Sequence, residues 1–160
     1  MKWMLRSTRV LVVLAFAASD CWSQQAFGTW KVNPTRSTFG TNPHDKEIIL
    51  RIEQRARGEV VTLDRILPNG VAATTSIVLF MDGQPRAFRG EQCSGTQSSN
   101  RLDDRTVEAR FQCQEGRSVR MVRRTSPGTR DLVLEITEEI TDPPARSRRV
   151  KSLLVFEKQQ

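Results

Sequence analysis

Turn-forming residue groups interrupt this chain about every 10 to 15 residues from residue 57 onward and leave room only for short elements between them. Asn-Gly and Asp-Gly pairs are typical of tight hairpins, because the central positions of such turns need positive φ angles. The interruptions lie at Arg57-Gly58, Pro68-Asn69-Gly70, Asp82-Gly83, Asp103-Asp104, Glu115-Gly116, Pro127-Gly128 and Asp142-Pro143-Pro144. This spacing favours short strands joined by hairpins.

The segments between the turns alternate apolar and polar side chains, most clearly over residues 106–113 and 131–140. A period of two residues is typical of antiparallel strands with one buried face, and no segment after Ala18 keeps a helical repeat over three turns. Only residues 34–39 suggest a short helical turn. We predict strands at 27–32, 46–55, 59–67, 71–80, 86–92, 105–114, 117–125, 131–140 and 148–157, with a weak strand at 97–102.

These strands predict an all-β fold, an antiparallel up-and-down meander of about eight to ten strands that closes into a barrel. Closure removes the exposed edges of the sheet, which would otherwise pair with other chains. An open sandwich is the alternative architecture, although sandwiches usually need Greek-key connections. The 160 residues fit one domain.

Residues 1–23 are predicted to be a secretory signal peptide, and residues 24–160 the single domain. Three basic residues within the first nine positions precede an apolar run from Val10 to Ala18, and polar residues follow it. The run is far shorter than the roughly 20 residues of a membrane-spanning helix. We therefore expect a periplasmic or extracellular protein with no transmembrane segment after signal removal. Cys21 offers an alternative as an acylated lipoprotein cysteine, for which the preceding Asp20 is unfavourable.

Cys93 and Cys113 are the only cysteines that remain after residue 23. An even pair in an exported chain favours a disulfide, because the destination compartment oxidises thiols. Two unpaired buried thiols are the alternative.

Three segments carry a family resemblance. The opening GTWKVNPTRSTF (28–39), RLDDRTVE (101–108) and the terminal LVFEK (154–158) are similar to segments of small secreted bacterial lipocalin-like domains of uncharacterised function. Within the first segment, residues 28–30 resemble the GxW signature of lipocalin and calycin barrels. The resemblance implies the barrel fold named above.

The resemblance also implies roles for single residues at the closed end of the barrel. Gly28 lets the chain approach the barrel floor closely, and Trp30 plugs that end with a large apolar surface. In lipocalins an arginine of the last strand stacks on this tryptophan, and Arg148 or Arg149 is the candidate here.

The sequence offers little for catalysis, and we expect no enzyme, no metal site and no cofactor. The single histidine, His44, lies between Pro43 and Asp45 in a predicted loop, where a solvated side chain is the simplest interpretation. The adjacent carboxylates at 103–104 and 138–139 point to opposite faces of their strands, so neither pair forms an acid–base couple.

Arginine dominates the basic residues of this chain, whose net charge is +7. Guanidinium groups bind carboxylates and phosphates through two parallel hydrogen bonds, so an anionic envelope component is a candidate partner. Nucleic acid is not expected for an exported chain, and a merely soluble basic surface is the simpler alternative. The clustered residues are Arg117, Arg120, Arg123, Arg124, Arg130, Arg146, Arg148 and Arg149.

Arg65 and Arg123 are the candidate ligand-binding residues. Arg65 shares its strand parity with Val61 and Leu63, and Arg123 shares its parity with Met121. A guanidinium inside the barrel needs an anionic partner, and the carboxylate of a fatty-acid-like ligand would supply one. The alternative is that β-bulges or strand ends turn both arginines outward.

The resulting hypothesis is an exported carrier that binds a small apolar or amphipathic molecule in the barrel lumen. The alternative is a non-enzymatic envelope protein with a filled barrel and an arginine-rich surface that binds anionic partners.

Overall fold

A computed structural model of the protein describes residues 25–40, 44–90, 93–128, 132–142 and 150–159. The predicted signal peptide, Cys21 and four of the clustered arginines (Arg130, Arg146, Arg148 and Arg149) lie outside these residues. Among the described residues, no helix has the length and apolar character needed to cross a membrane.

Ten antiparallel strands form one sheet, in which nearly every strand pairs with its neighbours in the chain. They are β1 (Gly28–Val32), β2 (Glu47–Arg55), β3 (Gly58–Ile66), β4 (Ala72–Phe80), β5 (Arg86–Arg89), β6 (Ser94–Asp103), β7 (Thr106–Cys113), β8 (Ser118–Pro127), β9 (Leu132–Thr141) and β10 (Val150–Lys158). The order across the sheet is β4-β3-β2-β1-β10-β9-β8-β7-β6-β5. The meander predicted from the turn spacing is confirmed, and β1 and β10 join its two halves.

The turn glycines explain why the predicted strand bounds agree closely with the observed ones. Gly70 and Gly116 both have a φ of 86°, in the region that glycine adopts without steric cost. The largest differences are at β5, which ends at Arg89, and at β6, whose ten residues exceed the weak strand predicted at 97–102. The segment 34–39 forms a turn, and its Thr38 bridges to Leu153 of β10.

The sheet curls through 292° and stays open, so the predicted closed barrel is not reached. The edges are β4 and the short β5, and no backbone ladder joins β4 to β6. Side chains of β6 bridge the gap instead: the Gln97 amide donates to the Val78 carbonyl at 2.9 Å, and the Ser99 hydroxyl donates to the Phe80 carbonyl at 2.7 Å. We call this contact the seam.

The core lies inside the curl, on the inward-facing positions that the two-residue alternation predicts. Trp30, Leu134 and Phe156 have no exposed surface, and Leu50 and Ile52 of β2 pack in the same cluster. Fully burying an apolar side chain of this size stabilises a fold by about 1.5–3 kcal/mol. These residues hold β1, β2, β9 and β10 together at the centre of the sheet.

Candidate functional site

Burial of the inward-facing side chains changes along the strands. Glu59, Arg123 and Leu134 lie in the buried part, which we call the packed end. Further along the same three strands, Leu63, Met121 and Glu138 face inward yet are only partly buried, and we call that part the mouth. The interior is therefore filled at one end and accessible to solvent at the other.

Glu59 and Arg123 form an ion pair across the packed end, although β3 and β8 are not neighbours in the sheet. Both guanidinium Nη atoms donate to the carboxylate, one of them to Oε2 at 2.9 Å. The side chains are 1% and 5% exposed. Arg123 faces inward, as its strand parity predicts, and the carboxylate expected from a ligand is supplied by Glu59 of the chain itself.

Arg65 lies on the inward face of β3, two residues beyond Leu63. Its side chain is partly buried, and Nη1 lies 3.7 Å from Oδ2 of Asp45, which precedes β2. The two arginines singled out from the sequence thus share the interior but lie at different depths. Each has a carboxylate of the chain beside it.

The partner carboxylates were missed by the sequence analysis, for different reasons. Glu59 shares its parity with Val61, so the alternation that indicates an inward Arg65 indicates an inward Glu59 as well. Asp45 precedes β2, so the two-residue alternation of the strands does not indicate which way its side chain points.

Glu138 brings a carboxyl group into the mouth. Its register neighbours are Met121 of β8 and Ser152 of β10, and all three face inward. Burial raises the pKa of Glu138 above its usual range, and a hydrogen bond with Ser152 offsets part of this effect. Glu139 lies on the opposite face, as predicted, so the two carboxylates do not act together.

Further partly buried apolar side chains pack against the core cluster from both halves of the sheet and from the loop after β1. They include Phe39, Leu63, Ile77, Phe111, Met121 and Leu154. Of these, Leu63, Met121 and Phe111 lie at inward-facing positions of the mouth.

Trp30 lies at the packed end, and the resemblance to lipocalin-like barrels implies a tryptophan at the closed end of the barrel. Its indole N–H donates to the Ala26 carbonyl at 2.9 Å, and Nζ of Lys158 lies 5.4 Å from the ring centroid. Gly28 has a φ of 125°, and a side chain there would meet Cε of Lys158 at 3.3 Å. Among the described residues, the cation beside the tryptophan is therefore Lys158 of the last strand, whereas the candidates Arg148 and Arg149 lie outside that part of the chain.

Cys93 and Cys113 form the predicted disulfide, with their Cα atoms 5.5 Å apart. His44 is exposed and stacks on Phe39 with 4.5 Å between ring centroids. In the described part of the chain, no three His, Cys, Asp or Glu residues converge as metal ligands.

The described part of the predicted arginine cluster has members on both faces of the sheet. Arg123 lies inside, whereas Arg120 lies on the outer face, 2.7 Å from Oε1 of Glu108. Arg117 pairs with Asp142 at 2.6 Å. Among the described members of the cluster, Arg117, Arg120 and Arg123 thus each have a carboxylate beside them.

No model of a known protein family matches the chain, and no curated protein matches it either. The curled meander of ten strands is compatible with a calycin-like fold. The agreement with the lipocalin resemblance thus lies in the fold.

Proposed function

We propose that this protein is a carrier that holds a small apolar or amphipathic molecule in its mouth. The observation that carries the proposal is the partial exposure of apolar side chains that face the interior there, such as Leu63, Ile77 and Met121. Ligand pockets are mostly lined by such apolar side chains, with a few polar groups that orient the ligand. The fold alone does not imply a function, so this lining is the stronger argument.

The packed end supports the proposal because it provides a floor. A fully accessible interior would be a water-filled channel, whereas the buried Glu59–Arg123 pair and Trp30 fill one end. A molecule entering at the mouth would therefore lie on this floor with one end toward solvent.

The charged groups of the interior restrict the polar end of the ligand. Arg123 is held by a buried carboxylate, so a fatty-acid-like ligand would have to displace Glu59 to reach it. Arg65, at the mouth, is the arginine that a ligand carboxylate would approach, in competition with Asp45 at 3.7 Å. Glu138 favours ligands with a hydroxyl or amine, which donate a hydrogen bond to its carboxyl group.

The predicted signal peptide and the disulfide support export to the periplasm or the extracellular space. In this proposal the protein acts by binding, without a cofactor or catalytic residue.

Native mass spectrometry of the protein purified without detergent tests the proposal. We expect an extra mass in the native state that is lost on denaturation. A bare chain that also fails to bind N-phenyl-1-naphthylamine, an apolar fluorescent probe, would contradict the carrier function.

Two tryptophan substitutions locate the binding site. Leu63→Trp adds volume in the mouth and should abolish probe binding, whereas Ser76→Trp on the exposed outer face should leave binding unchanged. Thermal unfolding of both variants checks that they are folded. Equal binding by the two folded variants would place the probe outside the mouth.

A further inference from the structure

A groove of about 500 Å³ lies on the outer face of the sheet, over strands β6 to β9. Its lining includes the outward-facing Ser98, Arg110, Gln112, Ser118 and Arg120. Glu139 of β9 borders it at the end of β8 and β9 that is nearer the mouth. The groove is thus separated from the interior by the sheet and does not belong to the mouth.

One buried carboxylate holds the two arginines of this groove. Glu108 accepts a hydrogen bond from Nε of Arg110 at 3.0 Å on Oε2 and from Nε of Arg120 at 2.7 Å on Oε1. The Glu108 side chain is only 5% exposed, whereas those of Arg110 and Arg120 are 66% and 50% exposed. Burial by itself raises the pKa of Glu108, but the hydrogen bonds from Arg120 and Arg110 and the attraction of their charges together outweigh it, so the pKa is lowered.

The strand register places the two arginines directly opposite each other on β7 and β8. Like charges at such positions normally destabilise a sheet. Glu108 offsets the repulsion through the two Nε atoms, which leaves the Nη groups with further N–H donors for a ligand. Glu139 reaches only the edge of this arrangement, with Oε2 at 3.9 Å from Nη1 of Arg120.

The remaining lining suits a ligand with several hydroxyl groups. Ser98 and Ser118 offer hydroxyls, and Gln112 offers an amide, all of which donate and accept hydrogen bonds. Phe111 and Val119 also border the groove, but their strand positions face the interior. The outward-facing lining therefore carries several hydrogen-bonding side chains, with Pro85 as an apolar member.

We propose that this groove binds an anionic sugar, whose phosphate or carboxylate lies between Arg110 and Arg120 and whose hydroxyls contact the serines and Gln112. Two guanidinium groups held by the same carboxylate, Glu108, match the paired oxygens of such anions. The inference does not rest on the carrier function, because the side chains that would hold the anion, Arg110 and Arg120, lie on the outer face of the sheet.

Calorimetric titration of the full chain tests the inference with four probes: glucose 1-phosphate, glucuronate, glucose and inorganic phosphate. We expect binding of the two anionic sugars and no measurable binding of glucose. Equal affinity for inorganic phosphate and glucose 1-phosphate would overturn the sugar assignment, and absence of binding by both anionic sugars would overturn the site.

A matched pair of double variants separates the groove from general surface charge. Arg110→Gln/Arg120→Gln should weaken anionic-sugar binding about tenfold or more. Arg51→Gln/Arg124→Gln removes the same charge from outward-facing arginines outside the groove lining and should change affinity by less than about twofold. Equal losses in both variants would overturn the inference.

Glu108→Gln tests the positioning role of the buried carboxylate. The variant makes the groove more positive, so attraction by charge alone predicts tighter binding. If Glu108 orients the two arginines, the affinity falls instead. Tighter binding would overturn this part of the inference, and thermal unfolding verifies that the variant is folded.

Discussion

At the scale of residues, the Glu59–Arg123 pair is the feature of the interior whose stability depends most on good geometry. Removing two charges from water costs several kcal/mol for each ion, and their attraction offsets this cost only with good geometry. Here both Nη atoms of Arg123 donate to the carboxylate, and neither side chain is more than 5% exposed. The pair therefore depends on both partners, and either one alone would be a buried uncompensated charge.

Arg123→Met should lower the free energy of unfolding by about 3–5 kcal/mol, because Glu59 is left without its cation. Glu59→Leu should have an effect of similar size for the opposite charge. The double variant Glu59→Leu/Arg123→Met should be more stable than either single variant, since no buried charge remains. Urea denaturation measures all three, and additive losses in the double variant would contradict the pairing.

Glu138 should make stability depend on pH in a defined direction. Its pKa is raised in the folded state, so the unfolded chain releases this proton first as the pH rises above the ordinary value of 4.5. Over that window the folded state binds more protons, and the contribution of Glu138 to stability falls as pH increases. Its register neighbours, Met121 and Ser152, do not titrate in this range and do not change the sign.

The substitution Glu138→Gln should therefore raise Tm relative to wild type more at about pH 8 than at about pH 3.5, because deprotonation no longer occurs at this site. Glu139→Gln, on the outer face, is the control for the change in net charge. Thermal unfolding at the two pH values is the measurement. A Tm difference that does not vary with pH would refute the interpretation.

At the scale of elements, β6 shows where local pattern and tertiary structure disagree. Its sequence, SGTQSSNRLD, is rich in polar residues that rarely favour strands. Pairing with β7, the disulfide beside its first residue and the seam contacts of Gln97 and Ser99 hold it in the sheet. Its close approach to β7 requires a glycine, because a Cβ at Gly95 would lie 1.9 Å from the Gln112 carbonyl oxygen.

Gly95→Ala should destabilise the protein by about 1–3 kcal/mol, because two paired backbones must move apart. Thr96→Ala, at the next position on the exposed face of β6, is the control and should cost less than about 1 kcal/mol. Chemical denaturation compares the two variants. Equal stabilities would mean that β6 can shift without cost.

Sequence and structure agree where a prediction depends only on residues that are close together in the chain. Turn glycines and two-residue alternation depend on neighbours in the chain, so most strand bounds were predicted correctly, whereas the direction of Arg123 was left open between inward and outward. The partner of Arg123 lies 64 residues away, and no local pattern connects them. The open sheet was not predicted either: β4 and β5 follow each other in the chain but form the two edges, and side chains of β6 bridge to β4.

At the scale of the whole molecule, the two edges of the curled sheet are joined by side chains and not by a backbone ladder. A closed ladder would fix the circumference of the barrel, whereas the seam consists of side-chain hydrogen bonds, each of which contributes about 0.5–1.5 kcal/mol. The seam can therefore break without disrupting any backbone pair of the sheet. Val78 and Phe80 flank Leu79, the register partner of Glu59, so the seam lies at the packed end, where β4 pairs with the strand that carries Glu59.

The pairing of β1 with β10 also sets the order of events when the chain is made. Every other pair in the described sheet joins consecutive strands, so each hairpin can form soon after its second strand emerges. Trp30, in the first strand, obtains its second neighbouring strand only when Lys158 has been synthesised. A nascent chain thus carries its largest core side chain without the cover of β10 until that strand has been made, so the two halves of the sheet join only after all ten strands have been synthesised.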